Sequence, residues 1–301
     1  MPAIETHQLT KRYGSVLAVD RLDLSVEEGV VFGFLGPNGA GKSTTMKMLL
    51  GLVRPTAGRA NILGRDCRSV YARQAGLVGA MVEEPALYPY LSGRQNLLLL
   101  CRLSGAGGDE VDWALEKVGL SEVADRKVSE YSHGMRQRLG IAAALVPKPR
   151  LLILDEPASG LDPAGLREVR DLLKGLRDEG LTVLVSSHLL YEVQMTCSHV
   201  GLMFNGRMVA AGPVKELLGD EMTTVRVEVD RAAAAVEALA ALGVHAEPAQ
   251  DGTVMLRASR EDLPKIVAAL VHGGLRVYSV IPYERTLEEL YMEHAQPTPR
   301  Q

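Results

Sequence analysis

The segment Gly36-Pro37-Asn38-Gly39-Ala40-Gly41-Lys42-Ser43-Thr44 constrains this chain more than any other. It matches the pattern G-x-x-x-x-G-K-[ST], and its flanks have the character that pattern needs. Val30–Leu35 reads as a short buried strand, and Thr45–Leu50 as the helix that follows. A glycine-rich turn between strand and helix lets backbone N–H groups converge on one anion, and the helix start adds partial positive charge. Lys42 is expected to reach the β- and γ-phosphates of a nucleoside triphosphate, and the Ser43 hydroxyl to ligate Mg²⁺. An α/β fold follows, because the motif is itself a strand–loop–helix unit.

Many folds carry such a loop, so the rest of the site decides the class. Leu151-Leu152-Ile153-Leu154 is an apolar run followed by Asp155 and Glu156. A buried strand ending at Asp155 would bring that carboxylate beside the phosphate loop, where it can hold Mg²⁺ directly or through water. Glu156, one residue on, can polarise an attacking water as a general base. Upstream, Ser132 and Gly134 form a turn that opens a helix, which makes a second candidate anion site from a hydroxyl and free N–H groups. An ordinary serine N-cap explains that turn equally well when it is taken alone.

Composition narrows the partners. The 301 residues carry a net charge of −4, which argues against a broad cationic surface and hence against nucleic acid as the main partner. Cys67, Cys101 and Cys197 are widely spaced and show no metal or redox pattern, as for buried reduced thiols. The start Met1-Pro2-Ala3-Ile4-Glu5 lacks the basic and apolar regions of a signal peptide. No apolar run approaches the roughly 18 residues needed to span a bilayer. If the chain works at a membrane, another chain is expected to supply the span.

Along the chain, Leu22, Leu24 and Val26 alternate as in a strand, and Ile4–Leu9 is a weaker strand candidate. Gly58–Leu63 and Leu77–Val82 read as strands, Ser92–Leu103 as a helix capped by Ser92, and Ser104–Gly108 as a flexible break. Helices are expected over Asp109–Val118 and Ser132–Leu145. Strands and helices then alternate from Leu151 to Phe204, which implies a largely parallel sheet, and Asn205-Gly206 marks a hairpin. The composition shifts near Gly219-Asp220. A first domain over 1–219, with a helical subdomain at about 85–148, and a second over 220–301 are therefore expected. The second reads as βαββαβ, the ferredoxin-like plan, with a terminal helix at Thr286–His294.

These motifs, in this order over about residues 1–218, resemble the ATP-binding-cassette (ABC) ATPases. Gly36–Thr44 looks like that family's Walker A loop, Leu151–Glu156 like Walker B, and Tyr131–Met135 like its signature, usually Leu-Ser-Gly-Gly-Gln. Ser159-Gly160-Leu161-Asp162 resembles the D-loop. His188 resembles the switch histidine that senses the γ-phosphate, and Tyr13 the aromatic that stacks on adenine. The resemblance implies ATP as ligand and Glu156 and His188 as the catalytic pair. It also implies nucleotide sites shared with a second copy of the chain, each closed by Ser132 and Gly134 of the opposite subunit. Separate membrane-spanning permease subunits would then hold the chain on the cytoplasmic face of the cell membrane.

Two departures stand out. Glu83, in Met81-Val82-Glu83-Glu84-Pro85, replaces the usual glutamine; a carboxylate there can still serve Mg²⁺. His133 stands where glycine is usual, either as a pH-dependent cation near the γ-phosphate or in a solvent-facing or packing role. These departures and the extra C-terminal domain resemble the bacitracin-resistance and drug-export branch. A soluble ABC protein acting on ribosomes or DNA is the rival reading. It sits poorly with a single cassette that lacks coiled-coil or zinc insertions. A small-molecule P-loop kinase would leave Ser132–Met135 and His188 without a role.

Overall fold

The computed structural model describes residues 2–68, 76–104, 108–219, 222–249, 252–283 and 286–295. They form two compact units, Met1–Val214 with a few residues from the chain's end, and Lys215–Met292. The division falls before the expected 219/220 because the short helix Val214–Leu218 groups almost entirely with the second unit.

The first unit opens with two long antiparallel strands, β1 (Pro2–Tyr13) and β2 (Val16–Glu27). β1 extends well beyond the Ile4–Leu9 expected from periodicity. Gln8 adopts φ +47° and the register slips between Thr6 and Leu9, so alternation fails in the middle of a continuous strand. After β3 (Val31–Leu35) and the helix Lys42–Leu49, β4 (Ala57–Ile62) and the two-residue β5 (Arg65–Asp66) complete a sheet ordered β2-β1-β4-β5.

The second sheet positions the chemistry. Its members are β3, β6 (Val78–Met81), β7 (Leu151–Asp155), β8 (Thr182–Ser187), β9 (His199–Phe204) and β10 (Arg207–Pro213). The order is β10-β9-β3-β8-β7-β6, parallel throughout except for β10, which returns from β9 through Asn205 and Gly206, both at positive φ. Every residue of β3, β7 and β8 is buried, as expected for strands covered on both faces. Phe34, Leu35 and Met46 are wholly enclosed. Each such side chain contributes roughly 1.5–3 kcal/mol through burial.

Between β6 and β7 lie the helices Gly93–Ser104, Gly108–Lys117 and His133–Leu145. The first is fixed by a reciprocal cap: Ser92 Oγ accepts from the Gln95 N–H at 3.1 Å, and Gln95 Oε1 from the Ser92 N–H at 2.9 Å. Residues 105–107 of the expected flexible break lie outside the described residues. Pro163–Asp178 and Leu190–Thr196 are the helices after β7 and β8.

The second unit contains β11 (Met222–Val229), β12 (Ala246–Pro248), β13 (Thr253–Ser259) and β14 (Val277–Tyr283), all antiparallel and ordered β12-β13-β11-β14. Helices Ala232–Ala240 and Leu263–His272 bury Leu239, Ile266 and Leu270 with Val225, Val227 and Leu256. The last strand starts at Val277, after Leu275, which is buried in this core just beyond the Gly273-Gly274 turn. The terminal helix runs Leu287–Ala295.

Among the described residues no helix is long and apolar enough to cross a membrane. The three cysteines are buried, and burial pushes the Cys197 thiol up to about 12.

Candidate nucleotide site

Three neighbouring strands end at one sheet edge. Leu35 of β3 pairs with Ser187 of β8, and Ser186 of β8 with Asp155 of β7. The phosphate loop, Ser186–His188 and Asp155-Glu156 therefore emerge side by side. This is where ligands bind in open α/β sheets, at the carboxyl ends of the strands.

The phosphate loop is held from behind. Gly206 N–H, in the β9–β10 turn, donates to Ala40 O at 3.0 Å, and Ala40 N–H donates to Pro37 O at 3.1 Å. Two glycines are sterically required. A Cβ on Gly36 (φ +151°) would lie 2.2 Å from Met203 O, and one on Gly41 (φ +105°) 2.4 Å from Ala18 O. Gly41 is the N-cap of the Lys42–Leu49 helix, with Asn38 and Gly39 exposed at the loop tip and Ser43 and Thr44 half-buried in the first turn.

Lys42 is buried, and its ammonium donates to Gly36 O at 2.6 Å and to Pro37 O at 3.3 Å. Burial pushes its pKa below the usual lysine range, while Glu156 and Asp155 pull it back up. Lys42 Nζ lies 3.7 Å from Glu156 Oε1, and Glu156 Oε2 lies 2.8 Å from His188 Nδ1. A carboxylate only accepts, so the histidine carries a proton on Nδ1. Glu156 itself sits at φ +50°, a strained conformation for this residue type. The arrangement can hold a water against a carboxylate that a cation and an imidazole orient.

One residue of this site was not singled out in the sequence. Ser186 Oγ donates to Asp155 Oδ1 at 2.5 Å and accepts from the Glu156 N–H at 2.9 Å, so one hydroxyl aims both acids. The sequence signal was a pair of serines ending an otherwise apolar strand.

Asp155 is buried against a neutral hydroxyl, with the Lys42 and Lys47 ammoniums acting on it through space. A buried carboxylate of this kind suits a hard divalent cation. Glu83 stands apart: at φ +67° its carboxylate accepts from Lys47 Nζ at 2.5 Å, and that ammonium holds its pKa below the usual glutamate range. The sequence reading had not paired these two. Tyr13, 47% exposed at the end of β1, has the Lys11 ammonium 4.7 Å from its ring centre.

Gly134 lies against the Ser159–Leu161 turn, where a Cβ on it would be 3.5 Å from Leu161 Cδ2. Ser132 is the N-cap of His133–Leu145, accepting from the Met135 N–H at 3.2 Å. Tyr131 is a packing residue: it is buried, and its hydroxyl donates to Val123 O at 2.8 Å.

Together the fold and this edge define a P-loop nucleoside triphosphatase with a helical insertion between β6 and β7. A model of the family described as ABC transporter matches residues 19–159. The chain is 39% identical to the uncharacterized ABC transporter ATP-binding protein YhcH of Bacillus subtilis (strain 168), over 96% of this chain and 95% of the relative. It is 36% identical to the bacitracin transport ATP-binding protein BcrA of Bacillus licheniformis, over 96% of each. The solved structure of CbiO1 from Clostridium perfringens, part of the ABC transporter complex CbiONQ, aligns with a TM-score of 0.66 at 29% identity, covering 72% of this chain and 90% of that one. The chain belongs to the ATP-binding, ATP-hydrolysing subunits of ABC transporters.

Proposed function

We propose that this chain is the motor of an exporter. It would bind ATP between two copies of itself and drive separate permease subunits from the cytoplasmic face of the membrane. The carrying observation is the Glu156 carboxylate, set between Lys42 and His188 at the edge where the phosphate loop ends. Lys42 would leave its loop carbonyls for the β- and γ-phosphates. The N–H groups of Gly36–Thr44 would line the phosphates, and Tyr13 would stack on adenine. Glu156 would take the proton of the attacking water, with His188 orienting it. Ser43 and Asp155 would hold Mg²⁺, which supplies charge neutralisation at the phosphates; Glu83 could join them only by leaving Lys47.

Ser132 and Gly134 would complete the nucleotide site of the opposite subunit. Ser132→Arg should therefore leave ATP binding by the single chain intact while turnover drops about 10²-fold or more, as for loss of a preorganised charge-stabilising donor. Calorimetry and a phosphate-release assay measure the two quantities. Parental turnover by this variant would refute the shared site.

Export is supported by the bacitracin-transport relative, which matches over almost the full length. The second unit, in our reading a ferredoxin-like accessory domain, is included in that match. A soluble role on ribosomes or nucleic acid has no comparable support.

The permease is expected to dock at Glu83–Leu91. Tyr88 and Tyr90 are 46% and 66% exposed, with ring centres 5.8 Å apart. Their backbone is fastened: buried Asn96 accepts from the Tyr88 N–H at 2.8 Å and donates to Tyr88 O at 3.1 Å, and the Ser129 N–H donates to Pro89 O at 2.9 Å. Two exposed rings on a rigid loop suit a partner helix. Replacing both with Ser should weaken permease pull-down about tenfold or more and abolish export while basal hydrolysis persists. Normal assembly and transport would move the docking site elsewhere.

A further inference from the structure

His133 occupies the place in the signature loop where glycine is usual, and it makes a contact of its own. Its Nε2 lies 3.0 Å from Ser159 O. A carbonyl oxygen only accepts, so Nε2 carries a proton and donates it. The acceptor sits in the turn that begins at Glu156: Ser159 N–H donates to Glu156 O at 3.1 Å, and Asp162 then caps the helix Pro163–Asp178 by accepting from the Gly165 N–H at 2.9 Å. That turn is pinned at both ends, by the strained Glu156 and by the cap.

The two loops are also in steric contact. A Cβ on Gly160 (φ +72°) would lie 3.2 Å from His133 Nε2, and one on Gly134 3.5 Å from Leu161 Cδ2. The path Glu156–Ser159–His133–Ser132 is therefore two hydrogen bonds and one peptide link long. Glu156 faces the chain's own phosphate loop; on the shared-site reading Ser132 serves the nucleotide of the opposite subunit.

Resting on the shared-site reading above, we infer that His133 is a positioning residue that couples the two nucleotide sites of the dimer, by tying the signature loop to the turn that carries the hydrolytic glutamate. Closure of Ser132 on one nucleotide pulls the Ser159 carbonyl and with it the backbone of Glu156 at the other. With a flexible glycine in place of His133 the side-chain link would be absent, and the loops would communicate only by packing.

The test is an ATP titration of turnover by the full-length chain, comparing His133→Gly with His133→Gln. His133 is exposed, so neither change disturbs the core. Gln carries an N–H at the reach of Nε2; Gly has none. The parent should show a Hill coefficient approaching about two, the number of sites. His133→Gly should bind ATP in single chains with parental affinity and turn it over with a coefficient near one. His133→Gln should restore cooperativity. Unchanged cooperativity in His133→Gly, or failure of Gln to rescue, overturns the inference. A parent with hyperbolic kinetics and no ATP-driven dimer refutes the shared-site reading itself, and the coupling with it. A cooperative parent whose His133→Gly variant is equally cooperative refutes the coupling alone.

Discussion

Glu156→Gln is expected to bind ATP normally and to hydrolyse it roughly 10²–10⁴ times more slowly, the weight of a positioned general base. The substitution is isosteric, and the amide oxygen still accepts from His188 Nδ1, now at 2.8 Å from Oε2. The backbone strain at φ +50° and the Ser186 contact to the Glu156 N–H do not depend on the charge. The loss therefore isolates proton acceptance rather than misplacement. With hydrolysis blocked and binding intact, the ATP-bound dimer should accumulate, because in the proposed cycle ATP favours the closed pair and its cleavage reopens it. Light scattering with and without ATP, beside a phosphate-release assay, checks both halves. Near-parental turnover would remove Glu156 from the role of base.

Lys42→Ala is the second large effect. Lys42 is a buried cation whose partners without nucleotide are two loop carbonyls and a carboxylate 3.7 Å away. A triphosphate offers that ammonium far stronger acceptors. Losing charge-assisted hydrogen bonds of about 3 kcal/mol corresponds to a roughly 100-fold weaker Kd. The variant also leaves Glu156 without its nearest cation, so hydrolysis should fall with binding. Because Met46, Met48 and Leu49 of the same helix remain packed in the core, the fold should survive, which a thermal melt can verify. Unaltered affinity by calorimetry would refute the phosphate-loop assignment.

What could be read in the sequence was whatever rests on short-range chemistry. The helix expected over Ser132–Leu145 is found at His133–Leu145, because the Ser132 hydroxyl caps its start. Phosphate loop, acidic strand end and histidine were visible as motifs, and their meeting follows from the parallel order of β3, β8 and β7. Long-range pairings were not visible. Nothing local links Glu83 to Lys47, or His133 to Ser159, across 36 and 26 residues. The full extent of β1 was hidden because a bulge at Gln8, whose N–H donates to Asp23 Oδ1 at 2.7 Å, breaks the alternation that reveals strands. Ser186 was overlooked because a hydroxyl at the end of an apolar strand looks like a boundary until the neighbouring acids are seen to need a donor.

The turn joining β9 to β10 has a consequence for how the molecule stores its response. Gly206 binds Ala40 O on one side and receives the Asp20 N–H at 2.8 Å on the other, so the phosphate loop is stitched into the sheets by main-chain bonds. Such bonds join neutral groups and are little affected by ionic strength. Glu83 and the signature loop are fastened differently, each by a side chain: a solvated ion pair and an imidazole on a carbonyl. Exchanging the ion pair costs little, since water can take the vacated place. The nucleotide therefore meets a fixed anvil and acts on two side-chain clasps, one in the loop proposed to receive the permease and one in the loop proposed to face the opposite subunit. Salt should loosen the first clasp and spare the second, separating permease-directed from subunit-directed response without a mutation.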